Sequence, residues 1–302
     1  MPMSASSNDC PPAPLSQWLE AAWSHPATIR PVEVEGATIR YRDWGTPPAD
    51  RAPAGPAPGL VFVHGFLAHA RWWDHIAPHF ADRYHVIAPD FSGMGDSDRR
   101  PQYSRRQYAR ETLAAMRDAG MAGATIVCHS FGAVSSLLAA KLAPDMVHRV
   151  IVLDAFVFRA DGSEPLNNAV EPEKRYATRE DALARYRLKP PGQWPIRQIV
   201  DYLAAHSLRE TDGQWGWKFD PQTFACVHSE GLRDELRGIA TPVDFVRAAN
   251  SDIIDDAALA SFVANTANCG APVTVPLSHH HLMIEQPVAL VSALDGLLAH
   301  PR

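Results

Sequence analysis

Apolar residues along this chain gather in short, β-branched runs separated by stretches of helical spacing. Leu60-Val61-Phe62-Val63, His85-Val86-Ile87-Ala88, Ala124-Thr125-Ile126-Val127, Arg149-Val150-Ile151-Val152-Leu153, Pro242-Val243-Asp244-Phe245-Val246 and Val273-Thr274-Val275 lack the strict alternation of a half-exposed strand. Such runs read as strands buried on both faces. Val32 to Val34 and Thr38 to Tyr41 alternate around Gly36 and predict a β-hairpin instead. Helical spacing covers Leu15 to Trp23, Trp72 to Phe80, Ser104 to Ala119, Ala133 to Leu142 and a last helix opened by Pro287. Strands alternating with helices predict an α/β fold with a mostly parallel central sheet flanked by helices. The candidate reactive residues follow the C-terminal ends of these strands, where open α/β sheets place their sites.

This rhythm divides the chain. Residues 1–30 form an N-terminal extension whose first fourteen residues, rich in Ser, Ala and Pro, read as mobile. Residues 31–157 carry the first part of the core and residues 237–302 the second. Between them, 158–236 is Arg/Glu-rich, helical in pattern and holds Trp194, Trp215 and Trp217. An insertion at the strand-end side would roof the site as a helical lid, its aromatics walling an apolar pocket or simply stabilising the lid itself.

With 46% hydrophobic and 21% charged residues in 302, the composition is that of a folded globular protein. A net charge of −6 without a basic block points away from nucleic acid and anionic membranes and leaves a small-molecule substrate. The four cysteines, Cys10, Cys128, Cys226 and Cys269, show no C-x-x-C pairing and read as free thiols of a cytoplasmic protein. No signal peptide or membrane-spanning run is found. A homodimer remains open.

The chemistry centres on Cys128-His129-Ser130-Phe131-Gly132. A serine between a buried strand and a helix sits on a sharp turn that projects its hydroxyl and points the helix N-terminus at it. This is the geometry of a nucleophile elbow, G-x-S-x-G, with Cys128 standing in the first glycine position, where only a small side chain fits. Serine needs a base, and the base an orienting carboxylate. Ser278-His279-His280-His281, in a loop before the final helix, offers the base. Three consecutive imidazoles diverge and lack accompanying ligands, so no metal and no cofactor are expected. Gly93-Met94-Gly95 lacks the Lys-Ser/Thr of a phosphate loop and fits a tight turn. Trp72 and Trp73 read as core or entrance-wall aromatics.

From about residue 30 onward the chain resembles the α/β-hydrolase superfamily, in its Ser-His-acid branch of esterases, lactonases and carbon–carbon bond hydrolases. The likeness rests on four matches in order: His64-Gly65-Phe66, Asp90-Phe91-Ser92-Gly93-Met94-Gly95-Asp96-Ser97, the Ser130 elbow and the histidine loop. It implies an α/β-hydrolase fold with Ser130 as nucleophile. The family's catalytic histidine stands five residues before an acidic residue and seven before a proline, and both counts, from Glu285 and from Pro287, give His280. His279, His281 and His129 then read as packing residues, and His64 as a loop stiffener. The family places its acid after either of two strands. Asp154 ends the first; at the second, Ser251 occupies the usual carboxylate position and Asp252 follows one residue late, so Asp154 is preferred and Asp252 is the alternative. Asp255 and Asp256 read as helix N-terminal charges. The backbone amides of Phe66 and Phe131 would form the oxyanion hole.

The resemblance implies hydrolysis of a small carboxylic ester or lactone, apolar or aromatic, through an acyl-enzyme. Carbon–carbon bond hydrolysis of a vinylogous diketone, a cofactor-independent oxygenase and a receptor without chemistry are the other readings. Dehalogenases and epoxide hydrolases of this fold use a carboxylate nucleophile, which Ser130 excludes.

Overall fold

Glu35 and Gly36, with φ of 47° and 78°, make the tight turn that pairs Val34 with Ala37 and starts the sheet. The computed structural model describes residues 13–47, 57–157, 170, 172–227 and 232–300. Among these residues the strands are β1 (Thr28–Val34), β2 (Ala37–Asp43), β3 (Gly59–Val63), β4 (His85–Pro89), β5 (Ala124–His129), β6 (Val147–Leu153), β7 (Arg175–Tyr176), β8 (Leu208–Thr211), β9 (Gln214–Trp217), β10 (Val243–Ala248) and β11 (Val273–Val275). The principal helices are α1 (Ala13–Trp23), α2 (Arg105–Asp118), α3 (Gly132–Leu142), α4 (Arg179–Leu183), α5 (Arg197–His206), α6 (Leu232–Leu236), α7 (Asp256–Asn265), α8 (Leu282–Glu285) and α9 (Pro287–Leu298).

Eight described strands form one sheet in the order β1-β2-β4-β3-β5-β6-β10-β11. The antiparallel hairpin β1-β2 joins it antiparallel through β2 and β4; the remaining pairings are parallel. The apolar runs are explained by burial on both faces. Val61, Val63, Ile126, Cys128, Val150 and Val152 point to one side, against Leu113 and Met116 of α2 and Leu137 and Leu138 of α3. Leu60, Phe62, Val127, Ile151 and Leu153, one residue out of phase, point to the other, against Trp73, Phe80 and Leu290 and Leu294 of α9. Ser104 caps α2 by accepting the Gln107 amide at 3.1 Å, and Pro287 opens α9.

Two expectations are corrected. The stretch Trp72 to Phe80 is two 3-10 turns, Ala70–Trp73 and Ala77–Phe80, because Pro78 lacks the amide that a continuing helix needs. The insertion is not wholly helical: besides α4, α5 and α6 it contains an antiparallel sheet, β7-β9-β8. Asp212-Gly213, with φ of 53° and 72°, turns β8 into β9. Asp-Gly between strands is among the strongest hairpin signals a sequence offers. The expected mobility of residues 1–12, and the parts of the insertion at 158–169, 171 and 228–231, lie outside the described residues.

The inserted segment docks on the strand-end side of the sheet. The Gly95 amide donates to the Lys218 carbonyl at 2.8 Å and the Asp220 amide to the Gly93 carbonyl at 2.7 Å. Lys218 also pairs with Asp96 at 2.7 Å. The loop that receives it is built on Asp90, buried, whose carboxylate accepts the amides of Ala70 at 2.6 Å and Asp96 at 2.9 Å. Gly95 has φ of 61°, and a Cβ there would lie 2.3 Å from the Asp90 carboxylate. Gly120 has φ of 71° with nothing within 4 Å of such a Cβ. Gly95→Ala should therefore destabilise the fold by about 3 kcal/mol, backbone strain plus overpacking, and Gly120→Ala by about 1 kcal/mol from strain alone. Urea unfolding of both variants checks this; equal losses would contradict it.

Candidate active site

β5 ends at His129 and α3 begins at Gly132, so the chain reverses within two residues. Ser130 takes φ of 50°, in the left-handed region that a side-chain-bearing residue enters only under constraint. Its amide donates to the Leu153 carbonyl at 3.1 Å, and its carbonyl accepts the Ala133 amide at 3.0 Å. Gly132 is required: a Cβ there would sit 2.7 Å from the His64 carbonyl and 2.8 Å from Val63 Cγ1. Cys128 fits in the first glycine position with its thiol fully buried. Burial pushes that thiol up to about 12, so it is an inert filler.

β6 runs beside β5 in register His129 to Leu153, which sets Asp154 beside the elbow, and the loop after β11 brings His280 across. His280 Nδ1 donates to Asp154 Oδ2 at 2.9 Å, and its Nε2 accepts the Ser130 hydroxyl at 2.9 Å. Ser130 is half-buried and reachable, whereas His280 and Asp154 are buried. Asp154 itself takes φ of 43°. Its Oδ1 accepts the Ala248 amide at 3.0 Å, and its Oδ2 also accepts the Ser251 hydroxyl at 2.8 Å. Ser251 Oγ in turn accepts the amides of Ile253 and Ile254 at 3.1 and 2.8 Å, so its single donor and its acceptor capacity are used. Of the two carboxylates left open by the sequence, the geometry brings Asp154 to His280. Asp252 is exposed, because the one-residue offset puts Ser251 in its place.

His64 Nε2 accepts the Phe91 amide at 3.1 Å, and its Nδ1 donates to the Gly65 carbonyl at 2.7 Å. It ties together the loops after β3 and β4, the stiffening expected of it. Burial lowers its pKa to about 4. His279 packs on Trp194 at 5.1 Å and donates from Nδ1 to Glu285 at 3.0 Å. His129 and His281 are buried and lie with His280, ring centroids 4.6 to 5.7 Å apart. Desolvation first, then the neighbouring imidazoles, holds His129 well below its ordinary range; desolvation brings His281 down to about 3.

The insertion's aromatics divide between the two expected roles. Trp217 packs on Tyr176 and Tyr186 within the insertion, and Trp194 is exposed. Phe224 instead meets Phe66 edge-on at 5.0 Å, and Phe66 meets Phe131 at 4.9 Å. Trp72 lies 5.4 Å from His281. Sequence reasoning also missed Arg105, which donates to the Phe131 carbonyl at 2.6 Å with its guanidinium 3.4 Å over the Phe131 ring. Its place at the start of α2 gave no hint of this, since the contact spans two distant elements.

The sequence model of the alpha/beta hydrolase family matches residues 60–294, and the chain belongs to that family. It is 25% identical over 276 residues to the esterase Rv0045c of Mycobacterium tuberculosis, covering 88% of each chain. It is 26% identical over 288 residues to the 2-(acetamidomethylene)succinate hydrolase of Mesorhizobium japonicum, covering 89% of this chain and 94% of that one. A solved structure of an E-2-(acetamidomethylene)succinate hydrolase superposes with a TM-score of 0.72 at 23% identity, over 91% of this chain and all of the other (100%), and shares the fold. The chain is thus a hydrolase of the α/β class. No helix among the described residues is long and apolar enough to cross a membrane.

The buried imidazoles predict an acid-labile fold. His64 and His75, both lowered to about 4 by burial, stay neutral in the folded chain while the unfolded chain protonates them near 6.5. Their contribution is fully present above about 6.5 and is lost as pH falls toward about 4. Asp90, pushed up to about 6 by burial, and Asp74 and Glu111, also raised by burial, work in the opposite direction over part of this window, but seven buried or part-buried histidines (His64, His69, His75, His79, His129, His206 and His281) are lowered and outnumber them. Urea midpoints should fall steadily from pH 7 to pH 4.5; constant midpoints would contradict the account.

Proposed function

We propose that this protein hydrolyses a small carboxylic ester or lactone through an acyl-enzyme on Ser130. The observation that carries this reading is the line Ser130 Oγ, His280 Nε2, His280 Nδ1, Asp154 Oδ2, with both hydrogen bonds at 2.9 Å. Asp154 can only accept from Nδ1, so the imidazole offers its Nε2 lone pair to the serine. Ser130 Oγ attacks the carbonyl carbon while its proton passes to His280 Nε2. The carbonyl oxygen becomes an oxyanion, met by the amides of Phe131 and Phe66. As the intermediate collapses, the C–O bond to the leaving group breaks and His280 returns the proton to that oxygen. Water, deprotonated by His280, then attacks the acyl carbon; the bond to Ser130 Oγ breaks and the serine recovers its proton. Asp154 orients His280 and stabilises its transient positive charge.

Similarity to an esterase over most of both chains supports ester chemistry. Phe66, Phe131 and Phe224 beside the nucleophile support an apolar or aromatic acyl group. The inserted segment, docked on the loops after β4 and β11, serves as the lid. Its Ile196 amide reaches the Ile284 carbonyl at 3.1 Å, close behind the histidine loop.

Ser130→Ala should abolish ester turnover without changing the urea midpoint; retained ester turnover would overturn the acyl-enzyme on Ser130. Asp154→Asn should cost about 10⁴ in kcat and Asp252→Asn should leave it unchanged; the reverse order would assign the acid to Asp252. Ser251→Ala removes one donor from the buried carboxylate and should lower kcat about tenfold, the effect of losing a hydrogen bond to a charged group. Unaltered kcat in that variant would remove Ser251 from the orienting chain.

A further inference from the structure

Two consecutive imidazoles, His280 and His281, meet a third from a distant part of the chain, His129, at the elbow. His129, His280 and His281 each offer one nitrogen to a cluster whose members all lie within 4.8 Å of one another. The hydrogen bonds show which nitrogen of each ring is free to bind a metal. His129 Nε2 lies 2.9 Å from the His280 carbonyl and His281 Nε2 lies 3.1 Å from the Pro190 carbonyl. A carbonyl oxygen only accepts, so both Nε2 atoms carry the proton and both Nδ1 atoms are bare lone pairs. Both Nδ1 atoms are buried and have no hydrogen-bond partner. His280 is arranged alike, with Nδ1–H on Asp154 and the bare Nε2 facing Ser130.

Each histidine thus has its proton anchored on an oxygen acceptor; the lone pairs of His129 and His281 are unpartnered, and that of His280 is engaged only by the Ser130 hydroxyl, which a metal would displace. This is how metal-binding histidines are oriented by their outer partners. Two bare nitrogens buried without a donor are otherwise costly. Gly65 borders the same space: a Cβ there would lie 2.8 Å from His129 Nδ1 and 3.5 Å from Ser130 Cβ. The sequence argument against a metal concerned three consecutive histidines. The fold turns His279 away to Glu285 and puts His129 in its place.

We propose that His129, His280 and His281 form a binding site for a divalent transition metal such as Zn²⁺ or Cu²⁺, and that its occupancy switches the enzyme off. Imidazole nitrogen suits these ions and not Mg²⁺ or Ca²⁺, which take oxygen. Nitrogens sharing one tetrahedral Zn²⁺ lie roughly 3.4 Å apart, given bonds of about 2.0–2.1 Å. Side-chain shifts of about an ångström would close the cluster on the ion. A metal on the Nε2 lone pair of His280 takes away the base that Ser130 needs. The binding claim stands on the histidines alone; the switch rests on the hydrolase reading.

The test uses the full chain, stripped with a chelator and titrated with Zn²⁺ by calorimetry, beside ester turnover. One equivalent should bind, Mg²⁺ should give no heat, turnover should fall with occupancy and EDTA should restore it. His281→Leu and His129→Gln should each weaken Zn²⁺ binding at least about tenfold, the loss expected for one ligand. Should either variant fail to fold, Co²⁺ added to the unaltered protein should give the visible bands of a tetrahedral, nitrogen-ligated ion. Absence of Zn²⁺ binding, binding indifferent to both substitutions, or octahedral Co²⁺ spectra would overturn the site. Ser130→Ala separates the two claims: it should bind Zn²⁺ while lacking turnover. Histidine-dependent binding in a wild-type protein without esterase activity would sink the ester-hydrolysis reading and the switch, and leave the metal site standing.

Discussion

The reversal of the chain at Ser130 is the constraint on which the rest depends. A buried central strand must become a buried helix within two residues, which forces the serine to φ of 50° and permits no Cβ at position 132. Such a conformation costs of order 1–3 kcal/mol and persists only when its surroundings over-determine it. They do so here from three sides: the Leu153 carbonyl on the neighbouring strand, the His64 loop, and Arg105 clamping Phe131. The same turn that projects the hydroxyl leads directly into α3, whose N-terminus begins at Gly132.

Parallel strands then decide where everything else falls. Phe66, Ser130, Asp154 and His280 follow β3, β5, β6 and β11 and meet at one edge of the sheet, though they are far apart in sequence. Asp154 follows the strand beside the elbow, so only His280 has to be delivered across the sheet. Ser251, in the loop after β10, the strand between β6 and β11, works as a bridge. A carboxylate from its position would compete with Asp154 for the same imidazole; a hydroxyl there donates to Asp154 instead and is itself held by two amides of the following turn.

Much of this was legible in the chain. Doubly buried strands write themselves as unbroken apolar runs, so the order of strands and helices, the hairpin at Gly36 and the elbow at Ser130 could be read directly. Counting from Glu285 and Pro287 reached His280, and the serine at 251 pointed to Asp154. What escaped was non-local or set by the backbone. The 3-10 turns around Pro78 share their apolar spacing with a helix. The small sheet of the insertion was announced by Asp212-Gly213, a hairpin signal lost amid a helical composition. Phe224 at the pocket wall, Arg105 on Phe131 and the meeting of His129 with His281 arise from packing between elements distant in sequence, and no local pattern encodes them.

The account turns on covalent chemistry at Ser130, and rapid acid quenching during turnover of an activated ester, followed by peptide mass mapping, tests it most directly. An acyl group should appear on the peptide carrying Ser130 at a level that rises before steady state and decays as substrate is exhausted. Product formation with no acyl mass on that peptide, or with the acyl group on another residue, would contradict it.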